Sequence, residues 1–275
     1  MANILVLANE TIGGRKLLDR ILERNEQGDA KFFVVVPKTK PRYGNVVYDD
    51  AVRSSAQVRV DLACAFARSE GIEAHGEVGD EDPFNAAMDA VDQHRIDEVI
   101  VSTHPSSSSG WMRRDLPERI EAETGLPVEH IVVDIANEGL PFGVTLVVAN
   151  QTAAGDELVS KLKELAGEGP RRFIAVVPQS SGDGHASAGA QERLNALLAS
   201  LESDDIVAAG MIGDPDPFTA TMNAVGYFYV SEIVISTLPS NRSAWLEGGL
   251  VDRIKRQTGK PVLHVESTAD EKVGA

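Results

Sequence analysis

The chain has 275 residues, 43% of them hydrophobic, enough to fill one large core or two of ordinary size. Acidic residues outnumber basic ones by 42 to 26, and the resulting formal net charge of −16 repels phosphate backbones and anionic headgroups, which excludes nucleic acid and membrane surfaces as partners. Cys64 stands alone, so no intrachain disulfide can form; the chain suits a reducing, cytoplasmic compartment, and no apolar run approaches the length of a membrane span.

In chain order, short apolar runs at 3–8, 31–36, 72–78, 97–102 and 127–133 read as strands. Stretches with helical spacing lie between them at 12–26, about 50–69, 83–94 and 112–124. The strands are continuously apolar rather than alternating, which indicates a parallel sheet covered on both faces. Asp82 before Pro83 places an N-cap acceptor ahead of a proline at the first helical position, where its missing N–H costs nothing.

The second half then repeats the first. ILVLANETIGG at 4–14 returns as TLVVANQTAAG at 145–155, and FFVVVPK at 32–38 returns as FIAVVPQ at 173–179, both at an offset of 141. GDEDPFNAAMDAV at 79–91 returns as GDPDPFTATMNAV at 213–225, and TGLPVEH at 124–130 as TGKPVLH at 258–264, both at an offset of 134. The first copy therefore carries seven more residues, inserted between 38 and 78. The expected architecture is α/β, with two tandem doubly wound five-stranded parallel sheets occupying 1–138 and 143–268 and a flexible tail at 269–275. The Gly/Pro link at 137–143 is too short to let the halves wander, so an intrachain pseudo-dimer is expected, with 127–133 beside 261–266 because matched apolar edge strands need cover.

Ligands in such sheets bind beyond the carboxyl ends of the strands. There the fourth strand runs into STHPSSSSGW at 102–111, and its counterpart into STLPSNRSAW at 236–245. Hydroxyls and backbone N–H groups ahead of a helix suit an anion, and Arg242 adds a guanidinium able to grip phosphate oxygens in pairs. The candidate ligand-binding residues are Asn9, Thr103, Ser106, Ser107, Ser108 and Ser109 in the first copy, and Asn150, Thr237, Ser240, Asn241, Arg242 and Ser243 in the second. The competing structural reading makes Ser109 and Ser243 helix caps, and Asn9 and Asn150 stabilisers of the turn out of the first strand.

Other conspicuous residues read as structural. Trp111 and Trp245 recur at matching positions and pack a helix start against the sheet rim, or floor a pocket. His104 has Leu238 as its counterpart and reads as a solvated loop residue, while His130 and His264 lie in last strands. Asp80, Asp82, Asp214 and Asp216 cluster, but capping explains one of each pair, so no metal is expected, and Cys64 reads as a buried, inert thiol. No nucleophile elbow, HExxH helix, Walker loop or dinucleotide fingerprint is present in the sequence, so no catalytic residue is assigned.

With VLANET at the first strand, GDxDPFxAxMxAV at a helix start, EVIVSTxP at a strand exit and TGxPVxHV at the last strand, the chain resembles the universal stress protein domain in tandem. That resemblance implies an adenine-nucleotide-binding-like fold, strand order 3-2-1-4-5, domain pairing through the fifth strands and a role in stress response. Some members bind ATP through G-x-x-G-x9-G-(S/T) after the fourth strand. Here Ser102 and Ser236 occupy the first glycine position, Pro105 and Pro239 the second, and Asp115 or Gly249 the third, each followed by Leu. Proline offers no N–H and cannot take positive φ, so the phosphate cradle is not reproduced unchanged.

The resulting expectation is a non-enzymatic module that binds a small molecule or anion, with ATP or another adenine nucleotide as the cofactor the resemblance implies. The loop at 237–243 with Asn150 is expected to bind ahead of the loop at 103–109 with Asn9. A nucleotide-hydrolysing or nucleotidyl-transferring enzyme on the same fold, and a ligand-free scaffold for a protein partner, are the alternatives. Further pairing of two such chains as a homodimer is compatible with either.

Overall fold

A computed structural model of the chain describes residues 2–28, 30–39, 49–105, 115–179, 184–239 and 242–267. The first half supplies strands β1 (Ala2–Leu7), β2 (Ala30–Pro37), β3 (Glu73–Gly79), β4 (Glu98–Thr103) and β5 (Val128–Val132). The second supplies β6 (Gly143–Val148), β7 (Arg171–Pro178), β8 (Ala208–Gly213), β9 (Glu232–Thr237) and β10 (Val262–Glu266). Each set forms its own parallel sheet, ordered β3-β2-β1-β4-β5 and β10-β9-β6-β7-β8, which is one topology twice. The chain divides into two compact units built on these sheets.

Between the strands run α1 (Arg15–Glu26), α2 (Asp49–Ser69), α3 (Pro83–Gln93) and α4 (Leu116–Thr124), then α5 (Ile135–Glu138) after β5. The second half has α6 (Asp156–Gly167), α7 (Gly184–Glu202), α8 (Pro217–Tyr227), α9 (Ala244–Glu247) and α10 (Leu250–Thr258). The strands are apolar on both faces because helices bury both: Ile4, Leu5, Val6 and Leu7 are all fully buried. On one face of the first sheet Leu5, Leu7, Phe33, Val35, Val99 and Val101 pack with Ala86, Ala87 and Ala90 of α3 and with Ile120 of α4. In the second, Val147, Phe173, Ala175, Val177 and Val234 pack with Leu158 and Leu162 of α6 and Leu194 and Leu197 of α7. Leu162 is fully buried, and its truncation to Ala would cost about 2–5 kcal/mol.

The repeated GDxDPFxA stretch is explained by this packing. Asp82 accepts a hydrogen bond from the Phe84 amide, and Asp216 from the Thr219 amide, each capping a helix that opens on proline. The glycine ending β3 lets α3 approach: a Cβ on Gly79 would lie 2.7 Å from that of Ala86, and one on Gly213 would lie 2.8 Å from that of Ala220. Motif, cap and close approach together fix where α3 and α8 leave the strand ends.

Three local features depart from the sequence reading. The first helix does not begin at 12; a 3-10 turn, Glu10–Gly13, precedes α1. The link is not plain loop, since Asp134 caps the helical turn α5 by accepting from the Asn137 amide. The last helix of the second copy is broken into α9 and α10 at Gly248 and Gly249, where Gly249 turns left-handed at φ 62°. Among the described residues no helix is long and apolar enough to cross a membrane.

Candidate functional site

The strand order reverses between β6 and β9, and such a switch leaves a crevice beyond the strand ends. A cavity of about 230 Å³ lies there, lined by Asn150, Gln151 and Thr152 after β6 and by Ser236 and Thr237 at the end of β9. Leu238, Arg242, Ser243, Ala244 and Trp245 complete its wall. Four of the expected second-copy residues, Asn150, Thr237, Arg242 and Ser243, thus meet at one cavity, while Ser240 and Asn241 lie outside the described residues.

Their hydrogen bonds divide these four into two kinds. The Thr237 hydroxyl donates to the Leu238 carbonyl at 2.8 Å and lies 2.8 Å from His264 Nε2, so it is engaged inside the fold. Ser243 is buried and accepts from the Leu246 amide at 3.4 Å as the cap of α9, a structural role. Because α9 is a single turn, its dipole contributes little, and the attraction for an anion rests on side-chain charge. Arg242 supplies that charge: it is exposed, its amide donates to the Pro239 carbonyl at 2.8 Å, and its guanidinium forms no ion pair among the described residues. Asn150 lines the cavity, and its Oδ1 is shielded from solvent and has no hydrogen-bond partner among the described residues.

The equivalent mouth of the first half is wired differently. The Asn9 amide nitrogen donates to the Pro37 carbonyl at 2.6 Å and to the Thr39 hydroxyl at 3.0 Å, and the whole residue is buried, which makes it a tie between β1 and β2, although its Oδ1, like that of Asn150, has no hydrogen-bond partner among the described residues. Glu10 stands where the second copy has Gln151, and its carboxylate lies 3.3 Å from His104 Nε2. His104, expected to be a solvated loop residue, is instead partly buried against an acid. A carboxylate in that position disfavours an anion, whereas the second mouth offers a neutral amide and an arginine. Thr103 lies 2.9 Å from His130 Nε2, matching Thr237 and His264. Ser106, Ser107, Ser108, Ser109 and Trp111 lie outside the described residues.

The backbone retains one feature of the glycine-rich pattern that the residues have lost. Asp115 and Gly249, at the third glycine position, are both left-handed, with φ 45° and 62°. Asp tolerates this conformation better than most side chains, so the turn survives without glycine in the first copy. Trp245 is half-buried in the cavity wall. Burial, then the Asp61 carboxylate, push the Cys64 thiol up from its ordinary value against the opposing charge of Arg68, as suits an unreactive side chain.

No family model matches the sequence, and no curated protein matches it. Among solved structures, a universal stress protein from Archaeoglobus fulgidus DSM 4304 is similar at 15% identity and a TM-score of 0.37, with 98% of this chain and 97% of that chain covered. A structure described as trehalose-6-phosphate from E. coli bound with UDP-2-fluoro glucose is similar at 10% identity and a TM-score of 0.23, covering 86% and 78%. The class is defined by the topology itself: a duplicated, doubly wound parallel α/β chain with a cavity at the switch point of its second sheet.

Proposed function

We propose that this chain is a non-enzymatic binding module for a small phosphorylated ligand, held at the cavity of the second half. The observation that carries the reading is the exposed guanidinium of Arg242, in no ion pair among the described residues, at a cavity that Asn150 lines with its Oδ1 unpartnered. The guanidinium suits phosphate oxygens, and the buried acceptor calls for a hydroxyl or amino donor, the combination a sugar phosphate or nucleoside phosphate presents. The Ser243 hydroxyl still has its hydrogen to donate, because its oxygen serves only as the α9 cap acceptor.

At about 230 Å³ the cavity is smaller than the ~300–1,000 Å³ typical of sites that engulf drug-sized ligands. It therefore accommodates the phosphate-bearing end of the ligand and leaves the base of a nucleotide outside. Binding rather than turnover is favoured by the state of Thr237, the hydroxyl nearest an imidazole at this mouth. The Leu238 carbonyl, 2.8 Å from the Thr237 oxygen, competes with His264 for the hydroxyl proton and so weakens the pair as nucleophile and base.

Isothermal titration of the chain with ATP, ADP, AMP, cyclic nucleotides and inorganic phosphate tests this. Saturable heat with a phosphate-bearing ligand that Arg242→Ala removes is the expected result. Turnover of ATP that Arg242→Ala abolishes would replace binding by catalysis.

A further inference from the structure

A second constellation lies in the first unit, at the opposite edge of its sheet from β5. β3 carries His75 and Glu77 two residues apart, so their side chains project from the same face. The register sets His75 beside Phe33 and Glu77 beside Val35, and both of those neighbours belong to the core that α3 covers. α3 ends on that face with His94 as its C-cap residue. One ligand atom from each of His75, Glu77 and His94 lies within 4.8 Å of the other two, and His94 Nε2 is 3.8 Å from Glu77 Oε2.

We propose that His75, Glu77 and His94 form a binding site for a divalent transition-metal ion of the zinc type. Two imidazoles and one carboxylate are a ligand set that zinc and its neighbours accept, with a fourth position left open to water. Tetrahedral zinc, with bonds near 2.0–2.2 Å, holds its ligand atoms roughly 3.4 Å apart, so separations within 4.8 Å need to contract by at most about 1.4 Å. That adjustment falls within the freedom of the Glu77 side chain, which is 31% exposed.

Two further observations separate this cluster from a chance gathering of polar groups. His94 Nε2 is shielded from solvent yet has no hydrogen-bond partner, an uncompensated cost that a metal bond would remove. The imidazole is held in place by stacking on Phe33, with ring centroids 4.5 Å apart at 29°, while Phe33 meets His75 edge-on at 6.2 Å. Lys31, whose ammonium lies 5.5 Å from the Phe33 ring centre, is paired with Glu73 at 2.8 Å, so its charge is partly offset there.

The duplicated half supplies an internal control. The positions of Phe33, His75, Glu77 and His94 are taken there by Ile174, Ala209, Met211 and Phe228, in the same register, with Ile174 beside Ala209 and Val176 beside Met211. All four are apolar and buried. The fold thus closes this edge with hydrocarbon when left to packing alone, and the first copy departs from that solution at three positions that converge. Nothing about stability requires two histidines and a glutamate there.

The test uses the untagged full chain with Zn²⁺ in competition with a chromophoric chelator, and Co²⁺ as a spectroscopic substitute. One Zn²⁺ per chain is expected, together with the intense visible bands of four- or five-coordinate Co²⁺. His75→Ala, Glu77→Gln and His94→Ala should each weaken Zn²⁺ by more than the roughly 100-fold upper end of outer-shell substitutions. A triple variant, His75→Ala with Glu77→Met and His94→Phe, gives the first copy the composition of the second and should keep its circular dichroism while losing the metal. Absence of stoichiometric Zn²⁺ and of the Co²⁺ bands in the wild-type chain, a result that depends on no variant, would overturn the proposal. So would undiminished binding in the triple variant. Neither result bears on the cavity around Arg242, which holds no member of this cluster.

Discussion

His264 lies 2.8 Å from the hydroxyl of Thr237, diagonally across the β9–β10 ladder that pairs His264 with Ile235 and Thr237 with Glu266. The first half repeats the contact between His130 and Thr103 at 2.9 Å. The imidazole and the hydroxyl share one hydrogen bond, and the pair ties the last strand to the strand end that opens on the cavity. Thr237→Val keeps the shape and removes the bonds, at a cost of about 1 kcal/mol in urea unfolding with an unchanged m-value. A loss near zero would mean that the contact is solvent-compensated.

Asp216 caps α8 with more than one bond. Burial alone would raise its carboxyl, but hydrogen bonds from the Thr219 hydroxyl and amide, followed by the charge of Arg253 and the Phe218 amide, hold it below the ordinary Asp value. A carboxyl depressed in the folded state stabilises above its unfolded value, near 3.9, and that contribution fades as pH falls through the lower folded value. Asp216→Ala should therefore cost about 1 kcal/mol at neutral pH. The gap between variant and wild type should narrow as acid is added below roughly pH 5. A gap constant across that range would assign the effect to packing instead.

Gly76 and Gly210 are equivalent residues on the edge strands β3 and β8. A Cβ on Gly76 would lie 2.5 Å from Val60 Cγ1 and 2.8 Å from Cys64 Sγ, both on side chains of α2. On Gly210 it would lie 2.5 Å from Leu194 Cδ1 and 2.6 Å from the Ala175 carbonyl oxygen, which belongs to the sheet backbone and cannot step aside. Alanine should destabilise both positions by roughly 1–3 kcal/mol, with Gly210→Ala the more severe. Thermal unfolding of the two variants side by side gives the order directly.

The sheet topology was legible because both copies write it in the same terms. Continuous apolar strands such as ILVL at 4–7 require cover on both faces, and a unit repeated at offsets of 134 and 141 requires one topology twice. Asp82 and Asp216 were readable as caps because capping is local. The fate of the loop residues was less legible, because it depends on what each strand end faces. Thr237 and Ser243 carry the right chemistry, but Thr237 is engaged with His264 and Leu238, and Ser243 accepts from Leu246 as a helix cap. Asn9, which matches Asn150 in sequence, is tied to Pro37 and Thr39. The contact of His104 with Glu10 joins residues whose separation follows no helical or strand period. The same holds for His94 beside Glu77: a crossover brings them together, and the only sequence signal was the His-x-Glu at 75–77 set against Ala-x-Met at 209–211.

Calorimetric titration of a nucleoside monophosphate into wild-type, Arg242→Ala and Asn9→Ala chains tests the second-half cavity as an anion site most directly. The expected result is a single site per chain, lost in Arg242→Ala by more than the tenfold that one charge-assisted hydrogen bond of ~1.5 kcal/mol supports, and intact in Asn9→Ala if that variant remains folded. No heat with any phosphate-bearing ligand, or binding indifferent to Arg242, would contradict it.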